Sequence, residues 1–227
     1  AAAGTPVSTC SNSGAVNFTT GASAGNYAST AWTSSGTGTI TNPNSLTTAT
    51  YLPSTADIIS GSVILTLTAT GNAPCGNAVS AKTLTITTLP VATFSYTGSP
   101  YCSNAINPLP TFNGGGVAGT FTSTPGLVFV SAATGQINLS ASTPGTYTVT
   151  NTIPASGGCS VVTGTASVTI TSLPVAGFIY TGTPYCANVA NPSPTFSVGG
   201  TAGTFSSTTG LVFVSASTGQ VNLASST

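Results

Sequence analysis

Few side chains in this sequence could carry chemistry. The charged residues are Asp57 and Lys82; there is no His, Arg, Glu or Met. Five cysteines stand at positions 10, 75, 102, 159 and 186, alongside seven Tyr and the single Trp32. Metal sites need clustered imidazole, carboxylate or thiolate ligands, and one Asp without any His does not supply them, so neither metal nor cofactor is expected. General acid–base catalysis needs a group titrating near neutrality, and no catalytic set can be assembled here. The chain is therefore not expected to be an enzyme. One Lys cannot neutralise a row of phosphates or build a basic membrane-surface patch, so no nucleic-acid partner is expected. No apolar run approaches the ~18 residues of a membrane helix, so no membrane insertion is expected either.

The cysteines are the most chemically informative residues. One early and one late Cys per repeat is the simple reading, pairing Cys10 with Cys75 and Cys102 with Cys159. The partner of Cys186 would fall at position 243, beyond Thr227, leaving Cys186 unpaired in this chain. Structural disulfides are the expected use, stabilising each unit by roughly 2–5 kcal/mol and implying an oxidising, extracellular compartment. Because Cys75 and Cys159 sit in Gly/Asn-rich loops, each bridge should tie a loop to a strand start. Trp32 reads as a core aromatic, with a carbohydrate-stacking platform as the alternative. Asp57 and Lys82 read as two solvated residues. Asn17-Phe18-Thr19 and Asn138-Leu139-Ser140 are glycosylation sequons, and 45 Thr and 31 Ser offer O-linked positions. Gly114–Gly116 and Gly199-Gly200 lack a following Lys and a strand-to-helix context, so they read as turns or bulges, not phosphate loops.

The elements that position these residues come from an internal repeat. Leu89-Pro-Val-Ala92 recurs as Leu173-Pro-Val-Ala176, Tyr101-Cys102 as Tyr185-Cys186, and Gly126–Ala132 as Gly210–Ala216, always 84 residues apart. Residues 89–143 and 173–227 match at 39 of 55 positions. Residues 1–88 are a diverged relative: Lys82–Pro90 aligns with Ala166–Pro174, and Cys75 with Cys159. Three units follow: 1–88, 89–172 and 173–227, the third stopping after about two-thirds of a unit. The absence of Met and of a basic-then-apolar leader suggests a processed form or an excerpt of something longer; the missing part of the third unit is expected from continuation of the chain, with strands donated by a neighbouring molecule as the alternative.

Within a unit the pattern is that of strands. Thr146–Ile153, Ala166–Leu173 and Ser62–Ala69 alternate β-branched or aromatic residues with polar ones at period two. Gly and Pro punctuate the runs, and no segment shows a capped 3.6-residue period. The expected fold is all-β: tandem Ig-like antiparallel β-sandwich repeats, arranged as an extended rod because the Leu-Pro joints leave little slack.

Gly126–Leu139 followed by Pro144-Gly-Thr-Tyr-Thr-Val-Thr150 resembles the Ig-like and cadherin-like repeats of bacterial surface proteins. The whole chain, with Ala31–Gly38 and Leu65–Cys75, is similar to repeat regions of the giant adhesins of Bacteroidota. These are exported by the type IX system, and the mobile adhesin of gliding motility is one of them. The resemblance implies an extracellular, cell-surface location. It also implies a structural role as a stiff, disulfide-stapled stalk or filament segment for adhesion or gliding, whose partners are neighbouring repeats. A carbohydrate-binding module, or the stalk of a secreted enzyme whose catalytic domain lies elsewhere, is the alternative. Tyr96/Tyr180 and Tyr101/Tyr185 recur between units and would suit surface polysaccharide if exposed.

Overall fold

The computed structural model describes all 227 residues. In the first unit, period-two alternation becomes a four-stranded sheet. Ser62–Gly71 pairs antiparallel with Tyr27–Ser34 on one side and Ala78–Thr87 on the other. The short strand Val7–Cys10 joins Ala78–Thr87 in parallel. Val63, Leu65, Leu67 and Ala69 point inward from Ser62–Gly71, while its intervening residues are more exposed. A three-stranded sheet of Val16–Asn17, Thr50–Leu52 and Thr39–Thr41 contributes Tyr51. Phe18, Trp32, Tyr51, Leu65, Leu67, Leu84 and Ile86 form one buried cluster.

The second unit repeats this plan. Gly145–Ile153 pairs antiparallel with Val162–Thr171 along its full length and with Thr120–Ser123 on its other side. Tyr101–Cys102 joins the end of Val162–Thr171 in parallel, as Val7–Cys10 joins Ala78–Thr87. Tyr147, Val149, Val168 and Ile170 cover Phe94, Phe121, Leu127, Ile137 and Leu139. The rings of Phe94 and Phe121 meet edge to face at 5.2 Å, the geometry the ring quadrupole favours. Tyr147 donates its hydroxyl to the Thr143 carbonyl at 2.6 Å, four residues upstream, as in the tyrosine corner of Ig-like sandwiches.

Asn151 occupies an inward position of the same strand, where alternation would place an apolar residue, and is fully buried. Its amide donates to the carbonyls of Ala92 (3.2 Å) and Val117 (2.9 Å), and its Oδ1 accepts from the Gly119 N–H (2.7 Å). It pins the unit's first and middle segments to its central strand.

Residues 173–227 keep two small pairings, Phe178–Ile179 with Thr195–Phe196 and Phe213–Ser215 with Gln220–Val221. The sheet that covers the equivalent aromatics in the second unit has no counterpart here. Phe178 is 44% exposed, whereas its equivalent Phe94 is 6% exposed.

One expectation about local structure is corrected. A helix, Thr55–Ser60, follows Ser54, whose side chain accepts from the Asp57 N–H, while Asp57 in turn accepts from the Ser54 N–H. This is a capping box with Asp in place of Glu. Gly61 ends it in the left-handed conformation with φ 76°. Ser54-x-x-Asp57 before Ile58 and Ile59, closed by Gly61, was the available signal; six residues are too few to display a helical period. The glycine clusters do form turns: Gly114, Gly115 and Gly199 have positive φ, and the Gly116 and Gly200 N–H groups close turns onto Asn113 and Ser197.

Candidate functional site

The covalent chemistry of the chain lies at the joint between its first two units. Cys10 is bonded to Cys159, with Cα atoms 4.6 Å apart and 149 residues of separation. The expected pairs Cys10–Cys75 and Cys102–Cys159 do not form; Cys75, Cys102 and Cys186 are free thiols.

The sheet register supplies the reason. Cys10 lies opposite Thr87, at the outgoing end of Ala78–Thr87, whereas Cys75 precedes the incoming end of that strand. Cys102 lies opposite Thr171, at the outgoing end of Val162–Thr171, and Cys159 precedes its incoming end. Ten residues of strand at ~3.3 Å each separate the two ends by about 30 Å. A disulfide tolerates Cα separations of only about 4.4–6.8 Å. The two cysteines of one unit therefore sit at opposite ends of it and cannot meet. What meets is the outgoing end of one unit and the incoming end of the next.

The joint is built closely around this bond. The Ser11 N–H donates to the Thr87 carbonyl at 2.9 Å, and the Leu89 N–H donates to Ser11 Oγ at 3.1 Å. The Leu89-Pro90 connection is thereby fixed to the tail of the first strand. Residues 156–159, at the tip of the hairpin between Gly145–Ile153 and Val162–Thr171, form a turn closed by reciprocal bonds between Ser156 and Cys159. The Cys159 sulfur comes within 3.5 Å of the Thr87 carbonyl oxygen. The approach requires glycine at the tip. A Cβ on Gly157 would stand 2.0 Å from Thr87 Oγ1, and one on Gly158 would stand 2.8 Å from Thr9 Cα; both residues have positive φ. Cys10 and Cys159 are buried by this contact.

The other singled-out residues are structural. Trp32 is 3% exposed and meets Phe18 edge to face at 4.9 Å, with its indole N–H donated to the Ser45 carbonyl. It is a core aromatic, as read, although the bridge lies elsewhere. Asp57 and Lys82, read as solvated, are both buried. The Asp57 carboxylate accepts from Tyr51 Oη (2.8 Å) and from the N–H groups of Ser54 (2.9 Å), Gly38 (2.9 Å) and Thr37 (3.0 Å). Burial alone would raise its pKa, but hydrogen bonds from Ser54, Tyr51 and Thr37 outweigh that and hold it at about 2. Lys82 places its ammonium 5.7 Å from the Trp32 ring centroid, a cation–π arrangement, and burial lowers its pKa. The two residues serve different parts of one core.

The recurring tyrosines do not form a platform. Tyr96 is buried with its hydroxyl on the Gly135 carbonyl, and Tyr180 repeats that bond to Gly219. Tyr101 is half-buried and accepts from the Gly98 N–H, and Tyr185 donates to the Thr181 carbonyl. Asn17 is exposed but commits its amide to the Thr47 carbonyl and its Oδ1 to Thr19. Asn138 accepts from Ser140 Oγ and the Ala141 N–H. No helix is long and apolar enough to cross a membrane, and no group of three His, Cys, Asp or Glu side chains converges on a metal position.

No family model matches the chain, and no curated protein matches it. Solved structures similar to it include Drosophila N-cadherin EC1-4, at 11% identity and a TM-score of 0.37, covering 75% of this chain and 48% of that one. Protocadherin gammaB7 EC3-6, described as a cis-dimer, is similar at 10% identity and a TM-score of 0.34, covering 96% and 63%. BT4661, a SusE-like surface-located polysaccharide-binding protein from Bacteroides thetaiotaomicron, is similar at 16% identity and a TM-score of 0.27, covering 78% and 35%. The chain thus spans between about a third and two-thirds of these structures, and its own sheets establish the all-β sandwich class.

Proposed function

We propose that this chain is a structural repeat segment of an extracellular cell-surface adhesin or filament, in which consecutive β-sandwich units are locked end to end as a stalk. The observation that carries this reading is the Cys10–Cys159 bond, which joins one repeat to the next. A bond so placed serves the relative placement of units, which matters to a stalk. A persistent disulfide also belongs to an oxidising compartment. The scarcity of charge supports the reading further: with Asp57 and Lys82 both buried, side chains contribute no charge to the surface. Neighbouring stalks then feel little long-range repulsion, and their spacing is insensitive to salt. An exported repeat of the gliding-adhesin type fits these features. Residues 173–227, with their uncovered aromatics, are suited to receive a further segment.

The carbohydrate-binding alternative is weakened by the burial of Trp32 and Tyr96. A foothold for it is Tyr27, 40% exposed and beside Asn44 and Ser29 in a shallow groove.

The test combines location with shape. Antibody against residues 1–172 should label intact source cells, and small-angle scattering should give a radius of gyration well above the ~17 Å of a compact body of this length. Labelling only after lysis, or a compact radius, overturns the proposal.

A further inference from the structure

We propose that Cys102 is the receiving half of a second inter-unit disulfide, built as the first is. Its partner is the cysteine of a Gly-Gly-Cys hairpin tip on a repeat that follows the Leu173-Pro174 joint.

Three observations carry this. First, the receiving side of the first joint is reproduced at the second. Cys10 stands opposite Thr87 at the end of a parallel strand, and Cys102 stands opposite Thr171 in the same way. The Ser11 N–H donates to the Thr87 carbonyl at 2.9 Å, and the Ser103 N–H to the Thr171 carbonyl at 2.9 Å. The connection after each is Leu-Pro-Val-Ala. In the first joint a Cβ on Gly157 would collide with the Thr87 side chain, and one on Gly158 with the main chain of Ser8 and Thr9, so the bare glycine tip lies close against them. Thr171 retains that side chain, and Tyr101 continues the same strand path.

Second, and independently, residues 173–227 expose the surface that such a hairpin covers. In the second unit, Tyr147, Val149, Val168 and Ile170 bury Phe94 and Phe121. In 173–227 the equivalent Phe178 is 44% exposed, and a cavity opens beside Phe178, Phe196 and Phe205. A hairpin of the 145–171 type seated there would carry its tip toward Cys102, because in the second unit that same hairpin carries Cys159 to Cys10.

Third, the rule is selective among the free thiols. The Cys75 loop repeats the turn, with the Cys75 N–H on the Asn72 carbonyl as the Cys159 N–H is on that of Ser156. Ala73 and Pro74 replace the two glycines, however, so that tip cannot make the same close approach. Cys186 lacks the neighbouring strand that positions Cys102. Bond formation takes two thiols, which release two protons and two electrons to a disulfide oxidant; that oxidant is reduced to two thiols by exchange.

The inference rests on the repeat register and stands apart from the stalk reading, which localisation and scattering test separately. The probe is a synthetic peptide with the sequence of residues 144–172, its cysteine carried as a 2-thiopyridyl disulfide. It is offered to the full 227-residue chain with Cys10–Cys159 intact. A free thiolate attacks the peptide sulfur, the bond to the pyridyl sulfur breaks, and 2-thiopyridone leaves with the proton. The expected result is attachment to Cys102 at least tenfold faster than to Cys75 or Cys186, although both of those are more exposed. Amide protection should rise across 178–221. A peptide with scrambled strands and an unchanged Ser-Gly-Gly-Cys tip should lose the preference. Attachment that follows exposure, or is equal for the scrambled peptide, overturns the proposal. In a second arm the chain is extended after Thr227 by a copy of 144–172. Mapping should find the added cysteine bonded to Cys102; a bond to Cys186, or none under oxidising exchange, overturns it equally.

Discussion

Replacing Asn151 with Ala isolates one fully buried polar clamp. The change removes three hydrogen bonds at once and leaves the Ala92 and Val117 carbonyls and the Gly119 N–H without their partner. Each buried group left unsatisfied costs about 1–3 kcal/mol. Relaxation and entering water offset part of that, so the expected loss is roughly 3–5 kcal/mol. A domain's whole stability is about 5–15 kcal/mol, so the second unit should approach its threshold. The chain offers a way to see this unit alone. Its only Trp lies in the first core, so Trp32 fluorescence follows the first unit, while amide exchange across 145–171 follows the second. Protection at 147–151 and 166–170 should fall by about 10²–10³-fold or more, with the Trp32 denaturation midpoint little changed. Asn151→Asp should cost more at pH 7 than at pH 3, because an ionised carboxylate would face two carbonyl oxygens and only the protonated form can donate to one. The reasoning is refuted if Asn151→Ala shifts exchange by less than the equivalent of ~0.5 kcal/mol, or if the Asp variant shows no pH dependence.

Acid should act first on the first unit: Asp57, held at about 2 against its ordinary 3.8, contributes stability that is complete above about pH 4 and lost as pH falls towards 2. Asp57→Asn should flatten that limb in Trp32-monitored unfolding. Alkali should act on the second unit through Tyr96, as on the first through the buried Tyr51, whose pKa burial also raises. Burial, reinforced by Tyr101, pushes the Tyr96 phenol above its ordinary 10.0. The stability it confers is therefore full below pH 10 and is lost as pH rises beyond it, and Tyr96→Phe should remove that component from the exchange profile of 145–171. Gly158→Ala places a Cβ 2.8 Å from Thr9 Cα at a φ of +86°. It should reduce the bonded fraction of Cys10–Cys159 in a glutathione buffer by tenfold or more, read by thiol labelling, with amide protection of both cores retained.

The strands could be read from the sequence because their signal is local. Val63, Leu65 and Leu67, or Tyr147 and Val149, alternate in a run long enough to show its period, and the observed strands fall there. The cysteine pairing could not be read from spacing, because it depends on which end of a strand each thiol occupies. That in turn depends on the parallel pairing of Val7–Cys10 with Ala78–Thr87, a contact between residues almost eighty positions apart. The clue was present in another form. Cys10, Cys102 and Cys186 each precede a Ser or Ala and an early turn, while Cys75 and Cys159 each lie at the tip of the long hairpin of their own unit, so the two classes mark two ends of a unit. Asp57 and Lys82 depart from the expectation of solvation because charge argues for solvent unless partners are visible. The partners of Asp57 are mainly backbone N–H groups gathered by a helix start and by the Thr37-Gly38 turn. Asn151 was detectable as the polar member of an inward-facing series, a conflict that burial resolves only with three convergent partners.

The bond at the joint also sets how far the chain can be drawn out. Traction applied at Ala1 reaches Cys10, crosses to Cys159 and continues from there, so the residues between them lie outside the load-bearing covalent path. Unfolding of either core adds no contour length from that interval; of the two cores' long strands only Val162–Thr171, beyond Cys159, lies in the loaded path. At about 3.4 Å per residue, the 149 steps of sequence between the two cysteines hold roughly 500 Å of chain, which stays out of reach until the disulfide is reduced. Reduction would turn a nearly inextensible segment into one that can yield core by core, so the redox state of one bond sets the compliance of both units.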